Sequence, residues 1–259
     1  MGLGEWKLLR QAVDVDDYPF GLMGPYRVGH KVQATRHGER RLAIMEDDPR
    51  VVELEWLAQE EVGDREQAVL RSIDRSLGLE HRHLAPLLGA GLHEGILYLA
   101  RPHRLGRSLA QVMREADGHA ELAPGILYAL AEVVSFLADE GPEPGSCSAG
   151  GFDAEDVGLG FDGVLWLRAG TQALREAEAP AEADRVSLLG LCEAVGAWAG
   201  WVGPTPEVGE PIQSWSLRLR KAHRQACGER RVLLGTHLRR HYASAIRIER
   251  ARFGLSPLQ

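Results

Sequence analysis

Four acidic side chains lie close together in the stretch AGGFDAEDVGLGFDGVLWLRAG, residues 149–170. They are Asp153, Glu155, Asp156 and Asp162, and a group of carboxylates is the kind of ligand set that a hard divalent cation uses. The same residues have an ordinary structural explanation, because Asp favours turns by hydrogen-bonding to nearby backbone. We favour this second interpretation, in which the acids belong to a solvated loop.

Histidine and cysteine supply the other candidate chemistry. The pairs His81/His83 and His237/His241 have the spacing of metal ligands, but the sequence shows no third ligand beside either pair. The three cysteines are odd in number and far apart, which indicates neither a disulfide framework nor a paired metal site. No Ser-His-Asp or Cys-His signature of a nucleophilic enzyme is present.

The elements around the acidic stretch can be predicted from apolar spacing. Residues 157–159 and 164–168 are apolar runs around an Asp-Gly pair, which predicts a β-hairpin with a tight turn. Upstream, 126–137 carries apolar residues on one helical face. Downstream, the only charge between 186 and 201 is Glu193, which predicts a helix buried on nearly all sides.

In order and spacing these pieces resemble a protein kinase domain, specifically the bacterial versions of the eukaryotic-type Ser/Thr kinases. The resemblance covers about residues 26–198. Its strongest parts are YLARPHRLGRSL, the helix over 126–137, the hairpin over 149–170 and DRVSLLGLCEAV. No single family motif is intact. The resemblance implies an α+β, protein-kinase-like fold of two lobes: a small antiparallel-sheet N-lobe and a helical C-lobe with a shortened activation segment.

The resemblance also implies domain boundaries. Residues 1–25 would be an N-terminal extension, 26–101 the N-lobe, and 102–259 the C-lobe with basic C-terminal helices. The runs YRVGHKVQAT and RRLAIMED are similar to the first three strands of a kinase small lobe. We expect an extra helix over 47–63 and the regulatory helix of the small lobe over 65–77.

The positions that carry kinase chemistry are altered in this resemblance. Kinases hold ATP phosphates with a Gly-rich loop and a strand Lys, bind metal through an Asn and an Asp, and use a catalytic-loop Asp. Here Met45 stands at the Lys, Gly151 at the catalytic Asp, Asp156 at the Asn and Arg168 at the metal-binding Asp. Only Gly29 remains of the Gly-rich loop. We therefore interpret the chain as a pseudokinase that is not an enzyme and uses no ATP, metal or other cofactor.

Two structural expectations accompany this interpretation. Asp184 matches the Asp at the start of the central large-lobe helix, and we expect it to be buried and to accept hydrogen bonds from backbone N–H groups of 149–151. The vacated cleft would be lined by Met45, Arg101 and Arg168, with the arginines pairing with local acids.

The C-terminal part is strongly basic although the whole chain has a net charge of −7. Residues 217–259 hold 11 Lys and Arg against two Asp and Glu, a net of +9, which leaves −16 for the remainder. A helix is predicted over 236–253, with an apolar stripe turned inward and four arginines along its outer flanks: Arg239, Arg240, Arg247 and Arg250. This face is a solvated surface, a docking site for an acidic protein such as an active kinase, or a site for nucleic acid or anionic lipid. Few aromatic residues accompany the charges, which argues against single-stranded nucleic acid.

No apolar run has the length of a membrane span or a signal peptide, so we expect a cytoplasmic protein that does not bind membranes. The main hypothesis is a catalytically inactive kinase-like protein that serves as an interaction scaffold or allosteric regulator in bacterial signalling. The alternatives are a nucleic-acid-binding protein that uses the basic C-terminal helices, and an enzyme with remodelled chemistry on the kinase frame.

Overall fold

The computed structural model describes residues 22–35, 38–45, 48–57, 62–63, 66–140, 149, 151–168, 180–207, 210–226 and 234–252. Most of the expected N-terminal extension, residues 1–21, lies outside the described residues, as does Phe253. The segment expected to be a shortened activation segment, 171–183, is described only from residue 180 onward.

Among the described residues, six strands form one antiparallel sheet in the N-terminal part of the chain. In order of adjacency they are β1 (Leu22–Met23), β2 (Tyr26–Thr35), β3 (Gly38–Met45), β4 (Asp48–Leu57), β6 (Ile96–Pro102) and β5 (Gly89–His93). The helix α1 (Glu66–Ser76) lies between β4 and β5 in the chain. This sheet and α1 form the N-lobe.

The two faces of the sheet have different partners because side chains alternate along each strand. On the inner face, Leu57, Leu97 and Leu99 pack against Val69 and Ile73 of α1. The opposite, outer face holds a second apolar cluster of Met23, Tyr26, Val28, Ala43, Val52, Leu54, Trp56, Tyr98 and Ala100. Along β4, Glu53 and Glu55 alternate with these outward-facing apolar residues. Their side chains therefore face inward.

The expected helix over 47–63 is wrong, since Asp48–Leu57 is the strand β4 and pairs with both β3 and β6. The physical reason is visible in the run VVELEWL, where Val52, Leu54 and Trp56 alternate with Glu53 and Glu55. A period of two is typical of a strand, whereas a helix would need apolar residues three and four apart.

The C-terminal part is mainly helical, and its short sheet consists of β7 (Gly106–Ser108), β8 (Val157–Gly160) and β9 (Leu165–Leu167). The helices are α2 (Leu109–Glu115), α3 (Ala123–Asp139), α4 (Pro180–Ala199), α5 (Ile212–Ala226), α6 (Leu234–His241) and α7 (Ala243–Arg252). The central core is built on α3, whose inward side chains are almost fully buried. This part forms the C-lobe, as expected from the resemblance.

The predicted C-terminal helix is divided into α6 and α7 at Tyr242. The interruption is slight, because the backbone N–H of Tyr242 donates to Leu238 at 2.8 Å and that of Ile246 donates to Tyr242 at 2.8 Å. Leu238, Tyr242 and Ile246 are buried, as their apolar spacing predicts. None of the described helices combines the length and the apolar character that a membrane crossing requires.

Candidate functional site

The acidic stretch between α3 and α4 is a set of turns. Asp162 accepts a hydrogen bond from the backbone of Val164 at 3.0 Å, Asp153 from Glu155 at 2.8 Å, and Asp156 from Asp153 at 3.0 Å. Each of these carboxylates thus caps a local N–H group, which is the ordinary role of Asp in a turn. No group of three or more His, Cys, Asp or Glu side chains in the described parts of the chain is arranged to hold a metal ion.

Glu155 has a different position, because its carboxylate connects the two lobes. It accepts hydrogen bonds from Gln33 Nε2 on β2 at 2.8 Å, from Ser108 Oγ at 2.6 Å and from Arg114 Nη1 at 3.1 Å. Burial raises the pKa of this carboxyl, but the bonds from Ser108 and Arg114 outweigh burial and leave the pKa below its ordinary value. Glu155 therefore remains a charged acceptor that holds β2 to the start of α2.

The cleft between the lobes contains a buried group of charges, which we call the charge cluster: Arg40, Glu53, Glu55, Arg101 and Arg168. Arg168 Nη2 lies 3.3 Å from Glu53 Oε1, and Arg101 Nη1 lies 3.3 Å from Glu55 Oε2. Arg40 Nε is 3.8 Å from the second oxygen of Glu55. Arg101 and Arg168 pair with local acids as expected, and Arg40, which was not expected there, lies beside the same acids.

The charge of Glu53 is set by its neighbours. Burial alone would raise the pKa of this carboxyl, since a charged group loses its hydration in the interior. The guanidinium of Arg168, with smaller contributions from the nearby His103 and Arg40, acts in the opposite direction and holds the pKa of Glu53 well below its usual range. Glu53 is thus a buried carboxylate whose negative charge depends on Arg168.

The loop that enters the hairpin is held by α4. Asp184 is 2% exposed, and its two oxygens accept hydrogen bonds from the backbone of Ala149 at 2.8 Å and Gly151 at 2.7 Å. Ser187 Oγ accepts a third, from Phe152 N at 2.9 Å. Gly151 has a φ of +85°, a conformation that other residues adopt only with strain. These are the burial and the hydrogen bonds expected of Asp184 from the sequence.

A cavity of about 460 Å³ lies beside the charge cluster. Its walls come from β2 and β3, the segment of residues 103–108, the first turns of α2, and Trp166 and Arg168 of the hairpin. Glu249 of α7 reaches its rim. The cavity therefore lies between the two lobes, with Arg40, Glu53 and Arg168 on its inner wall.

Comparison with known proteins identifies this architecture. No family model and no curated protein matches the chain. A crystal structure of a mutant Mycobacterium tuberculosis PknI kinase domain superposes with a TM-score of 0.62 at 16% identity, covering 82% of this chain and 99% of that one. The chain has the protein-kinase fold. A second crystal structure of the PknI kinase domain gives a TM-score of 0.59 at 19% identity, with 88% of this chain and 99% of that chain covered.

Within the kinase fold, Met45 does not lie where the sequence placed it. Met45 ends β3 and packs against the apolar cluster of the outer face, so it does not line the cleft. The strand that leads to α1 is β4, and its inward side chains in the cleft are Glu53 and Glu55. In kinases the phosphate-binding Lys lies on the strand before the helix whose Glu pairs with it. The corresponding strand therefore presents acids. Predicting β4 from its alternation would have found them.

The four arginines proposed for partner binding do not form one exposed face. Arg239 is half-buried, and its Nη1 donates a hydrogen bond to the backbone oxygen of Phe161 at 3.1 Å, so it belongs to the contact between α6 and the hairpin. Arg240 and Arg247 are exposed, while Arg250 is half-buried. The expectation that Arg239 lies on the outer flank is therefore wrong, because the hairpin turn supplies a carbonyl that the local sequence does not reveal.

The two histidine pairs have structural partners. The ring of His81 stacks on Phe136 with centroids 4.9 Å apart, and His83 Nδ1 lies 2.9 Å from the backbone oxygen of Leu165. His237 packs edge-on against His119 at 4.9 Å. Burial lowers the pKa of His81, His83 and His237, so these side chains favour their neutral form. These contacts are those of residues that pack in the fold, although Nε2 of His237 is buried without a hydrogen-bond partner among the described residues.

Proposed function

We propose that this kinase-like chain is a pseudokinase, which works through protein contacts and does not transfer phosphate. The observation that carries the proposal is the pair of Glu53 and Arg168 in the cleft. In a kinase the strand before the regulatory helix contributes a cation for the phosphates, and the residue after the hairpin contributes a carboxylate for Mg²⁺. Here the signs of the two charges are exchanged.

The exchanged charges oppose both components of Mg-ATP. Glu53 presents a carboxylate where the phosphates would lie, and Arg168 presents a guanidinium where the metal ion would lie. The two side chains are largely buried at 10% and 11% exposure. In such a site the interaction between charges is stronger than in water. Binding Mg-ATP would require this pair to separate inside the cleft.

The catalytic loop supports the same conclusion from the other lobe. Gly151 carries no side chain that could orient or accept a proton from a substrate hydroxyl. Its backbone is nevertheless held by Asp184, and the neighbouring Phe152 by Ser187. The arrangement preserves the shape of the loop while leaving out the group that general-base or positioning chemistry needs.

A regulatory or scaffolding role would use surfaces of the fold. The exposed arginines of the C-terminal helices, Arg240 and Arg247, lie in the segment whose net charge is +9. We propose that they contribute to docking an acidic protein surface, such as that of an active kinase, because the planar guanidinium binds carboxylates through two parallel hydrogen bonds. Arg250 is half-buried and flanks this proposed docking surface. Arg239 is left out of it, because its side chain bonds to Phe161.

Titration calorimetry with Mg-ATP at millimolar concentration tests the proposed lack of nucleotide binding. We expect no stoichiometric heat, and no transfer of phosphate to the chain or to a general protein substrate. A clear one-site binding curve together with phosphate transfer would contradict the proposal. A matched measurement with a known active kinase domain of similar size shows that the conditions detect such binding.

The alternative of remodelled chemistry receives no support from the acidic loop. That alternative requires carboxylates that converge on one point of a cavity. Asp153, Asp156 and Asp162 instead accept hydrogen bonds from nearby backbone, and Glu155 is occupied by donors of both lobes.

A further inference from the structure

The cavity in the cleft is lined mainly by cationic side chains where charged residues reach it. Six cationic side chains face it, among the described residues, against two acidic ones, Glu53 and Glu249. The six are Lys31, Arg40, Arg104, Arg107, Arg114 and Arg168. The chain as a whole carries a net charge of −7, so this concentration of positive charge is a local property of the site.

Five of the six cations have an acidic partner, and three of those partners, Glu39, Glu55 and Glu155, do not line the cavity. Arg107 pairs with Glu249 at 2.6 Å, and Arg114 pairs with Glu155 at 3.1 Å. Arg104 differs from both, because its guanidinium lies over the ring of Trp166 with its carbon 5.3 Å from the centroid. Within the described residues no ion pair of Arg104 is found, so its donors are available to a ligand.

Arg168 has unused hydrogen-bonding capacity at the inner wall. Its Nη2 lies 3.3 Å from Glu53, whereas its Nη1 is buried and has no hydrogen-bond partner in the part of the chain that the structure describes. A buried donor without an acceptor is unfavourable. Because Nη1 itself has almost no exposed area, the guanidinium must turn slightly toward the cavity before an anionic oxygen can accept from it, and that bond would be strengthened by the charge on both groups.

We propose that the cleft binds a small polyanion, rich in phosphate or carboxylate oxygens, without a divalent cation. Arg168 contacts the anion at the inner end and Arg104 contacts it near Trp166. A volume of about 460 Å³ suits a small molecule and not a peptide segment. A metal ion is unfavourable here because it would meet the cationic wall and would neutralise the charge through which the ligand is recognised.

Calorimetry and thermal melting with inorganic pyrophosphate and with citrate test this proposal, both in buffer freed of divalent cations on a chelating resin and at constant ionic strength. We expect one-site binding of at least one probe and a rise in melting temperature that grows with its concentration. ATP in the same metal-free buffer forms a third arm and shows whether a nucleotide is a better source of the anion. Excess Mg²⁺ should weaken the binding of pyrophosphate and of ATP.

The matched variants are Arg104→Gln in the cavity and Arg240→Gln on the exposed surface of α6. We expect at least a tenfold weaker affinity for Arg104→Gln and an unchanged affinity for Arg240→Gln. The double variant Glu53→Gln/Arg168→Gln should also lose the probe, and its melting curve without ligand shows whether it folds. No binding of pyrophosphate or citrate, equal loss in both Arg→Gln single variants, or tighter binding with Mg²⁺ would each overturn the proposal. Binding of ATP alone would also overturn it, because adenosine and not the anion would then hold the ligand.

Discussion

Two regions that face the same cleft differ in what they retain of a kinase. On the C-lobe side, Asp184 holds the backbone of Ala149 and Gly151, an arrangement that needs only N–H groups and one carboxylate. Across the cleft, Glu53 of the N-lobe and Arg168 of the C-lobe hairpin form an ion pair of exchanged sign. The first arrangement supports the fold and is independent of the reaction. Under the proposed function, the second lies at positions whose charges serve nucleotide and metal in kinases, so a chain that does not use those ligands can change them.

The largest loss of stability should come from breaking the ion pair of Glu53 and Arg168. Arg168→Leu leaves Glu53 buried without its nearest cation, and removing one partner of a buried pair destabilises proteins by about 3–5 kcal/mol. The double variant Glu53→Leu/Arg168→Leu should recover most of that loss, because no charge is then left buried alone. Urea unfolding of the wild type, both single variants and the double variant gives the coupling energy. If the single-variant losses add without coupling, the pair is not the element that organises the cleft.

Lowering the pH should reduce the stability that Glu53 contributes to the fold, without any mutation. The pKa of Glu53 is depressed in the folded state relative to about 4.3 in an unfolded chain. A depressed carboxyl contributes its full stabilisation above the unfolded pKa and loses it as the pH falls below about 4.3 toward the folded pKa. The free energy of unfolding should therefore fall more steeply with decreasing pH in the wild type than in Glu53→Gln. Parallel pH profiles for the two proteins would show that Glu53 is not linked to folding.

Removing the carboxylate of Asp184 should have a smaller effect than breaking the ion pair. Asp184→Ala leaves the buried N–H groups of Ala149 and Gly151 without acceptors, which costs about 1–3 kcal/mol. Glu182→Ala, on the exposed side of the same helix, is the matched control and should change the free energy of unfolding little. A loss for Asp184→Ala no larger than for Glu182→Ala would mean that the loop is held by other contacts.

The sequence was most informative where structure depends on local spacing. The hairpin with its Asp-Gly turn, the core helix α3 and the apolar stripe of Leu238, Tyr242 and Ile246 were all predicted, since each pattern determines burial along one element. Asp184 was found through a resemblance that fixes its place at the start of a helix. These parts of the fold can be predicted without knowing which distant residues they contact.

The cleft was harder to predict because its chemistry depends on contacts between distant segments. The acids of β4 are not found from the sequence, because a helix is predicted over VVELEWL and the Lys position is placed at Met45 from the run LAIM. Arg239 was expected on the surface, but its partner is a carbonyl at Phe161, 78 residues away in sequence. The pairing of Arg168 with Glu53 likewise joins β9 to β4, and neither segment alone indicates it.

A modest effect is expected from placing a carboxylate at Gly151, the position that the proposed function assigns to the catalytic Asp of kinases. Gly151 has a φ of +85°, and left-handed backbone costs a residue with a side chain about 1–2 kcal/mol. Space is not the obstacle, since an added Cβ would meet Ala183 and Ser187 at an ordinary 3.5 Å. Gly151→Asp should therefore fold with a slightly lower melting temperature and still transfer no phosphate, because Glu53 and Arg168 keep their charges. Phosphate transfer by this single variant would show that the exchanged pair is compatible with Mg-ATP.

The smallest effect on stability should come from the exposed arginines of the C-terminal helices. Arg240 and Arg247 are solvent-exposed, so charge reversal with Arg240→Glu/Arg247→Glu should shift the melting temperature very little. If these residues dock an acidic protein, the same variant should lose that protein in a pull-down, and recovery by the wild type should weaken with salt. Arg239→Glu is the contrasting change: it breaks the contact with Phe161 and should lower the melting temperature. Equal recovery of partners by the wild type and the double variant would mean that this surface is only solvated, and that contacts of the chain must be sought on the N-lobe.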